Sequence, residues 1–252
     1  MSYSVILPTL NEEGHIVNLI EEIGKNFTDQ VSTYEIIVVD DNSTDGTIDK
    51  IKNYIKTSTI DLKLYVRKEK KNLAASINFG INKSKYENII WMDADFQHPP
   101  EYIKKLFAHI NDYEVIIFSR FLRESKRYFD GDLSVKEFNE DQSILFNKLS
   151  NLLIFKEITD YTSGFIYIKK NLIKKFKLSG YYGEYFVDLI VNCKLNNYRI
   201  LELPFTENKR KTGDSKTTDI DKFKYLITTY FYFMAFIKNC LKVKLNIKTK
   251  NL

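Results

Sequence analysis

Runs of β-forming residues alternate with helical patterns throughout the first half of the chain. The apolar segments YSVIL, YEIIVV, LKLYV, NIIWM and EVIIFS have the composition and length of strands. The interval after the first segment carries apolar residues at helical spacing, namely Ile16, Leu19, Ile20, Ile23 and Phe27. This alternation predicts an α/β fold, a Rossmann-like and largely parallel sheet with helices on both faces.

Polar segments directly follow three of the predicted strands. PTLNEE comes after Leu7, DDNSTDGT after Val39 and DADFQHPPE after Met92. The continuous apolar runs indicate strands covered on both faces, and open sheets of this kind bind ligands beyond the carboxyl ends of their strands. We therefore expect the three polar segments to line one cleft.

The segment after Met92 places two carboxylates one residue apart. Because side chains alternate along a strand, Asp93 and Asp95 lie on the same side if strand geometry continues through Ala94. Two anions facing one point repel each other unless a cation lies between them, and Mg2+ or Mn2+ prefers such oxygen ligands. Gln97 adds an amide oxygen. The alternative is an ordinary acidic turn after a strand.

A turn-rich segment follows Val39 and leads into a helix that we expect to begin near Thr47. Asp41 is a candidate contact for the ribose or base of a nucleotide, whereas Asp45 is assigned a structural role in the turn. The segment lacks the glycine spacing and the Gly-Lys-Ser/Thr ending of a phosphate-binding loop. A bound diphosphate would instead be neutralised by the metal ion and by basic residues, for which the candidates are Arg120, Arg210 and Lys216.

Length and composition allow a full core in this chain. With 252 residues, 44% of them hydrophobic and 28% charged, we expect one domain or one domain with an appendage. The net charge of +5 comes from abundant lysine, which suits an anionic ligand or a membrane surface, and the sequence shows no nucleic-acid motif. Cys193 and Cys240 lack metal-type spacing, and the N-terminal apolar run is too short for a signal peptide. Both features favour a cytoplasmic protein.

The second half of the chain gives weaker structural signals. Residues 120–142 are strongly charged and lack a long apolar run, so we predict a mobile loop that enters a helix near SILFNKLSNLLIF. The segment YTSGFIYIKKNLI predicts a strand followed by a helix, and YRILELPF predicts a further strand.

The C-terminal segment has an aromatic, lysine-flanked helical stripe made of Phe223, Leu226, Ile227, Tyr230, Met234, Ile237 and Leu241. Its apolar run is shorter than the roughly 20 residues that span a bilayer. The helix could lie on a membrane surface as interfacial helices do, or it could pack on the core of its own domain. We divide the chain into a domain of residues 1–216 and a C-terminal helix with a basic tail, residues 217–252.

The motifs LPTLNEE, VVDDNSTDGT, MDADFQHPPE, TSGF and RKTGDSK occur in the order and spacing of family 2 glycosyltransferases, and most resemble those of dolichol-phosphate mannose synthases. The resemblance covers the chain up to Lys216. It implies a GT-A fold, a nucleotide-sugar donor, typically GDP-mannose, and a divalent ion, Mg2+ or Mn2+. The sugar would pass with inversion to a polyprenyl phosphate at the cytoplasmic membrane face, where this protein would be peripheral.

The resemblance also implies roles for individual residues. Pro8, Leu10 and Glu12 match nucleotide contacts, although Leu10 replaces the usual tyrosine, and Val39 and Asp41 match base and ribose contacts. The diphosphate and metal segment is matched by Asp93, Ala94, Asp95 and Gln97. Arg120 matches an arginine between the donor and acceptor phosphates, and Arg210 and Lys216 match a basic segment that closes over the diphosphate. The resemblance makes Asp95, Arg120 and Arg210 the catalytic candidates.

Transfer to a phosphate needs no strong base, because the acceptor oxygen is already ionised at neutral pH. An alcohol acceptor would require a carboxylate base, for which Glu184 and Asp188 are candidates, although a structural role is favoured for Asp188.

The acceptor half departs from the family pattern. Phe118 stands at a usual glycine and Ile166 at a customary arginine. The best match to a basic residue expected for the lipid phosphate is Asn139, with Lys136 one turn earlier. The alternatives are a related glycosyltransferase that uses another UDP- or GDP-sugar with a different acceptor, and a binding protein that has lost turnover.

Overall fold

The computed structural model describes residues 1–27, 33–125, 133–208 and 222–246. Within these ranges seven strands form one sheet: β1 (Ser2–Thr9), β2 (Thr33–Asp40), β3 (Leu62–Val66), β4 (Asn88–Trp91), β5 (Val115–Ser119), β6 (Ile166–Lys169) and β7 (Ile200–Pro204). Their order across the sheet is β3-β2-β1-β4-β6-β5-β7. All neighbours are parallel except that β6 runs antiparallel to both β4 and β5. The predicted α/β class and largely parallel sheet are confirmed.

Helices connect the strands and cover the sheet. They are α1 (Ile16–Asn26), α2 (Thr47–Ile55), α3 (Leu73–Lys83), α4 (Ile103–Leu106), α5 (Leu133–Leu153), α6 (Lys170–Ile173), α7 (Tyr185–Leu195) and α8 (Lys222–Lys244). The predicted helices at residue 16 and near Thr47 are confirmed, and so is the strand-then-helix pattern of β6 and α6. Phe27 lies just beyond the end of α1.

The sheet is buried on both faces, which explains the unbroken apolar runs of its strands. Ile6 and Ile37 belong to one core cluster, whereas their neighbours Val5, Leu7 and Val38 belong to a second cluster on the opposite face. All five side chains have no solvent exposure. Because successive strand residues point to opposite faces, only a strand with apolar residues at every position can cover both cores.

The loop predicted for residues 120–142 is wrong in its second part. Helix α5 begins at Leu133, so residues 133–142 are helical, whereas residues 126–132 lie outside the described part. A helix needs only a stripe of apolar residues along one side, and charged residues on the other side break up any continuous apolar run without preventing the helix. The charge density of this stretch therefore concealed a helix.

Helix α8 packs on the domain through a face other than the predicted stripe. Ala235 and Asn239 are buried, and the helix contacts α7 and α5. The predicted stripe instead faces outward, with Leu226, Ile237 and Leu241 exposed by 64%, 39% and 54%. The interpretation that the helix packs on its own domain is therefore confirmed for its inner face, whereas contact of its outer face with a membrane stays a prediction. None of the helices in the described ranges has the length and hydropathy to cross a membrane. The division placed after residue 216 falls outside the described residues.

Candidate active site

The structure brings the carboxyl ends of β1, β2 and β4 to the same edge of the sheet, because these strands are direct neighbours and parallel. Thr9 pairs with Asp40 at the end of the β1–β2 ladder, and its hydroxyl donates to the Asp40 carboxylate over 3.2 Å. Pro8 and Val39 face each other one position earlier. The three polar segments therefore begin side by side.

The loops after β1 and β2 are locked together by hydrogen bonds. The backbone N–H of Asn11 donates to the Ser43 hydroxyl over 2.8 Å, and the backbone N–H of Thr44 donates to the Asn11 side-chain oxygen over 2.8 Å. The N–H of Glu12 donates to the Thr47 hydroxyl over 2.8 Å. These contacts hold the half-buried Leu10 and the buried Glu12 at this edge of the sheet.

Asp41 lies in a buried polar cluster at the start of α3. Its carboxylate pairs with the Arg67 guanidinium and accepts from the backbone N–H of Asn72 over 2.6 Å. Arg67 also donates to the Ser76 hydroxyl over 2.9 Å. The sequence reasoning did not single out Arg67, although it directly follows β3 just as the other polar segments follow their strands.

Asp45 has the structural position that its place in the turn predicts. Its carboxylate accepts from the backbone N–H groups of Thr47 and Glu13 over 3.0 and 3.1 Å. Partial burial would raise the pKa of Asp45, but the hydrogen bonds from Thr47 and Glu13 lower it below its ordinary value. Asp45 thus joins the first turn of α2 to the loop after β1.

The Asp93–Gln97 segment is shaped by a turn and not by strand alternation. Strand β4 ends at Trp91, and Phe96 has a left-handed backbone with φ of 66°. The Asp93 side chain is 45% exposed, whereas Asp95 is buried and accepts from the N–H of Gln97 over 3.0 Å. The condition for a shared side, that strand geometry continues through Ala94, is therefore not met. The turn therefore leaves the Asp93 carboxylate exposed to solvent and the Asp95 carboxylate buried.

His98 holds the start of this segment in place. Its Nδ1 accepts a hydrogen bond of 2.9 Å from the backbone N–H of Asp93, and its ring lies 5.2 Å from the Phe165 ring in a stacked arrangement. Burial lowers the pKa of His98 to about 4, against the opposing effects of Asp95 and Glu207. The imidazole is therefore neutral at pH 7, and the Asp93 bond requires Nδ1 to be its unprotonated nitrogen.

The oxygen atoms of this segment fit a hard divalent cation. Two carboxylates and the Gln97 amide are ligand types that Mg2+ and Mn2+ prefer, with the other coordination positions left to water and substrate oxygens. Across the described residues, no group of three or more His, Cys, Asp or Glu side chains is arranged to hold a metal. The fit therefore depends on Asp93, Asp95 and Gln97 together with a ligand, and not on a complete protein cage.

Arg120, at the end of β5, is fixed by a buried carboxylate that the sequence reasoning missed. Its Nε and one of its terminal nitrogens donate to Asp160 over 2.9 and 3.0 Å, and its backbone N–H donates to the same carboxylate. Glu207 lies 3.7 Å from the guanidinium. Burial would lower the pKa of Arg120 and raise that of Asp160, but their mutual attraction reverses both shifts.

A second carboxylate holds the loop that carries Asp160. Glu202, on β7, accepts from the backbone N–H groups of Thr159 and Asp160 over 2.8 and 3.0 Å. Burial raises the pKa of Glu202. The loop that carries Asp160 is thus anchored to the sheet. The Asp93–Gln97 segment and Arg120 are close neighbours, because the backbone N–H of Asn208 donates to the Gln97 carbonyl over 3.1 Å and the adjacent Glu207 lies 3.7 Å from the guanidinium.

The two candidate carboxylate bases, Glu184 and Asp188, have different surroundings. Glu184 is buried and accepts from the N–H groups of Tyr181 and Tyr182 over 2.6 and 2.8 Å. Asp188 binds α8, where it accepts from the Asn239 amide over 2.8 Å and pairs with Lys238, which agrees with the structural role favoured for it.

The other candidate residues lie either outside the described part of the chain or in the hydrophobic core. Arg210 and Lys216 lie outside the described residues, and so do the side chains of Lys136 and Asn139 in α5. Ile166, at the position of the customary arginine, is fully buried in the core between β4 and β5. Phe118 is also fully buried, and its ring centroid lies 4.2 Å from that of Phe165.

Comparison with known proteins identifies the class that this fold and site define. The family model described as Glycosyl transferase family 2 matches residues 4–176. The chain therefore belongs to glycosyltransferase family 2, as its motifs indicate, and its sheet and helices form the GT-A fold.

Similar proteins have been described under one name. The dolichol-phosphate mannosyltransferase of Pyrococcus furiosus is 29% identical over 231 residues, which cover 91% of this chain and 63% of the Pyrococcus protein. Proteins of the same name from Mycosarcoma maydis and Saccharomyces cerevisiae are 27% and 24% identical over 89% and 90% of this chain, and the matches cover 76% and 85% of their own lengths. This chain thus spans less than two thirds of the Pyrococcus relative.

Solved structures show the same fold at lower identity. Glucosyl-3-phosphoglycerate synthase from Mycobacterium tuberculosis, in complex with Mn2+, UDP and glucosyl-3-phosphoglycerate, superposes with a TM-score of 0.67 at 16% identity. The match covers 95% of this chain and 80% of the mycobacterial chain. The same synthase has also been crystallised with Mg2+ and UDP.

Proposed function

We propose that this protein is an inverting, metal-dependent hexosyltransferase that moves mannose from GDP-mannose to a polyprenyl phosphate at a membrane surface. The observation that carries the proposal is the proximity of the Asp93–Gln97 segment to the fixed Arg120, because the adjacent residues Asn208 and Glu207 lie against Gln97 and Arg120 respectively. One part suits a metal-bound diphosphate and the other suits an acceptor anion. The shared name of the relatives, which match about nine tenths of the chain, supports the same activity.

The donor would occupy the edge formed by β1, β2 and β4. Pro8, Leu10 and Glu12 would line the nucleotide on one side, and Val39 and Asp41 on the other. Asp93, Asp95 and Gln97 would hold Mg2+ or Mn2+, which neutralises the diphosphate as it leaves. His98 keeps the backbone of Asp93 in position for this role.

The acceptor phosphate would lie on the side of Arg120. Its attacking oxygen is ionised at neutral pH, so the protein needs to place two anions close together and not to remove a proton. Arg120 cannot swing freely, because Asp160 holds both its backbone and its side chain. This preorganised positive charge would attract the acceptor phosphate without costly rearrangement. Arg210 and Lys216 would add charge from the segment that follows β7.

Two helices present apolar surfaces that suit contact with lipid. On α5, Leu145, Leu149 and Leu152 are exposed and share one helical face through spacings of four and three residues. The outer face of α8 exposes Leu226, Phe233, Met234, Ile237 and Leu241, and Leu245 is exposed just beyond the end of the helix. The two helices touch through the rings of Phe146 and Phe236, 6.0 Å apart. We name these exposed residues of α5 and α8 the apolar face.

Lysines at the apolar face match the anionic surface of a membrane. Lys148 on α5 and Lys244 on α8 are exposed, and Lys238 on α8 has 60% of its side chain in solvent. Interfacial helices combine an apolar face with basic residues in this way. Peripheral contact through the apolar face would bring the site next to a membrane-bound polyprenyl phosphate.

The activity can be tested with a panel of radiolabelled GDP- and UDP-sugars, Mn2+ and a short polyprenyl phosphate, followed by organic extraction. We expect label in the organic phase, with the highest yield from GDP-mannose. Label that appears only with a water-soluble acceptor would support the alternative family 2 activity. Absence of transfer from every donor would contradict the enzymatic proposal.

The Asp93→Asn variant tests whether the metal segment takes part in turnover. Because the Asp93 side chain is nearly half exposed, the variant should fold normally. Loss of one charged ligand should lower transfer by about 100-fold. A variant that retained wild-type turnover and wild-type dependence on Mn2+ would show that the metal is held elsewhere. Circular dichroism spectra of both proteins provide the folding control.

The membrane contact can be tested with an Ile237→Ser, Leu241→Ser double variant. Replacing two exposed apolar side chains should reduce co-sedimentation with vesicles of anionic phospholipid by roughly tenfold. Ile55→Ser on α2 is the matched control, since Ile55 is 36% exposed but lies outside the apolar face. Equal co-sedimentation of the double variant and the wild type would reject the contact.

A further inference from the structure

Helix α8 contributes a side chain to the site from beyond the residues that the family model matches. The match ends at residue 176, whereas α8 begins at Lys222. Tyr232 lies on the inner side of this helix, three residues before the buried Ala235. Its ring packs edge-on against Phe146 of α5, with centroids 5.5 Å apart. The tyrosine is therefore held between α8 and α5.

The hydroxyl of Tyr232 lies directly against the backbone at Gly183. A Cβ atom at Gly183 would overlap this hydroxyl far inside van der Waals contact, and would be 3.5 Å from the ring carbon that bears it. The backbone at Gly183 is not left-handed, so close approach of the tyrosine is the feature that requires glycine here. The contact brings α8 to the loop that leads into α7, next to Glu184.

The charges around the Tyr232 hydroxyl are those of the site. Burial raises its pKa, and Glu184, Asp93 and Asp160 raise it further, while Arg120 opposes them. The hydroxyl therefore remains protonated and able to donate at neutral pH. No hydrogen bond joins it to any residue in the described part of the chain. A neutral hydroxyl at this position can donate a hydrogen bond without adding a charge beside the fixed Arg120–Asp160 pair.

We propose that the Tyr232 hydroxyl donates a hydrogen bond to a phosphate oxygen of the acceptor, so that α8 completes the acceptor side of the site. This inference rests on the proposed function. The acceptor is favoured over the donor because the opposite face of α8 is part of the apolar face. A polyprenyl chain that leaves toward lipid must pass this helix. One helix would thus contact lipid on its outer side and hold the phosphate on its inner side.

The Tyr232→Phe variant tests the inference, because it removes the hydroxyl and keeps the ring that packs on Phe146. A hydrogen bond to a charged group is worth enough to raise the KM for polyprenyl phosphate by about tenfold or more. The KM for GDP-mannose and the melting temperature should change little. Tyr181→Phe is the matched control, since Tyr181 is 52% exposed and its ring also packs on α8, 4.9 Å from Phe231. This control should retain wild-type kinetics.

A second substitution at the contact separates a direct effect from altered packing. Gly183→Ala places a methyl group against the Tyr232 hydroxyl and should raise the acceptor KM in the wild-type background. In the Tyr232→Phe background the hydroxyl is absent, so Gly183→Ala should add no further rise. Independent, multiplicative effects of the two substitutions would overturn the inference.

The outcomes distinguish this inference from the proposed function. Unchanged acceptor KM in Tyr232→Phe, beside an active wild type, would overturn the inference alone. A rise only in the donor KM would assign the hydroxyl to the diphosphate and overturn the acceptor role. Equal rises in the KM values of both substrates, together with a lower melting temperature, would reveal a packing role and would also overturn the inference. A wild-type protein that transfers sugar to no polyprenyl phosphate rejects the proposed function, and this inference with it.

Discussion

The two sides of the proposed site are built in different ways. The proposed donor side consists of short segments that directly follow neighbouring strands, and hydrogen bonds join the adjacent loops after β1 and β2. The proposed acceptor side draws on residues that are far apart in sequence: Arg120 after β5, Asp160 before β6 and Tyr232 on α8. Donor-side residues are positioned by the strands that they follow, whereas Arg120 and Tyr232 are positioned by side chains from distant segments, Asp160 and Phe146.

This difference changes how substitutions act. A donor-side loop that loses one side chain still follows its strand, because the ladder of the sheet fixes where the loop begins. An acceptor-side residue that loses its partner leaves a buried charge or an unfilled contact. We therefore expect the largest structural effects on the acceptor side and smaller, more local effects on the donor side.

The largest expected effect comes from Asp160→Asn. Breaking this buried ion pair leaves the Arg120 charge with only the more distant Glu207 as counter-ion and should lower the free energy of unfolding by about 3 to 5 kcal/mol. Urea unfolding at pH 7 measures this change. Transfer to polyprenyl phosphate should also fall, because the arginine loses its fixed position.

A second arginine pair provides the control for this comparison. Arg199 and Glu114 are also joined by several hydrogen bonds, but the arginine side chain is 59% exposed. Glu114→Gln should change the unfolding free energy by only a small fraction of the Asp160→Asn effect, because solvent screens exposed pairs. Similar losses in the two variants would show that burial does not set the acceptor side apart.

An intermediate effect is expected at His98 on the donor side. His98→Leu removes the acceptor of the Asp93 N–H and should lower transfer by roughly tenfold and weaken Mn2+ dependence. His98→Asn can place its side-chain oxygen near the former Nδ1 and should recover most of the activity. Titration of turnover with Mn2+ checks both variants. If asparagine rescues no better than leucine, the hydrogen bond to Asp93 is not the reason for the histidine.

The smallest expected effect is that of Asp45→Ala, which should leave transfer unchanged and cost about 0.5 to 1 kcal/mol of stability at pH 7 through its lost backbone hydrogen bonds. The folded pKa of Asp45 is lowered, so its contribution is fully present above the unfolded pKa of about 4. The contribution is lost as the pH falls through the folded pKa. Unfolding of both proteins at pH 7 and at pH 3 should therefore show a smaller difference at the lower pH. A constant difference would mean that Asp45 acts without its charge.

The accuracy of the sequence predictions follows the same division between the two sides. Strands were located by their continuous apolar runs, because a strand covered on both faces has no position for a polar residue. The loops after β1, β2 and β4 could be assigned to one cleft for the same reason. Residues 133–142 were assigned wrongly, since a single helical stripe is easily hidden among charges.

Other errors arose where chain direction changes. The spacing of Asp93 and Asp95 predicted a shared side only for continued strand geometry, and the left-handed backbone of Phe96 belongs to a turn that the pattern did not reveal. Asp160 lies in a short polar loop and carries no local mark of its pairing with Arg120, 40 residues away. Arg67 could have been found from its place directly after β3.

The sequence by itself determined the α/β class, the strand ends that form the donor edge, the family and an aromatic C-terminal helix. These features depend on periodicity and on motifs that are contiguous in the chain, so local residue chemistry is sufficient to identify them. Only the tertiary structure decided which face of α8 packs inward, which carboxylate fixes Arg120 and which tyrosine packs between α8 and α5. These features depend on contacts between segments that are distant in sequence. The partner of a buried charge or hydroxyl is set only when folding brings those segments together.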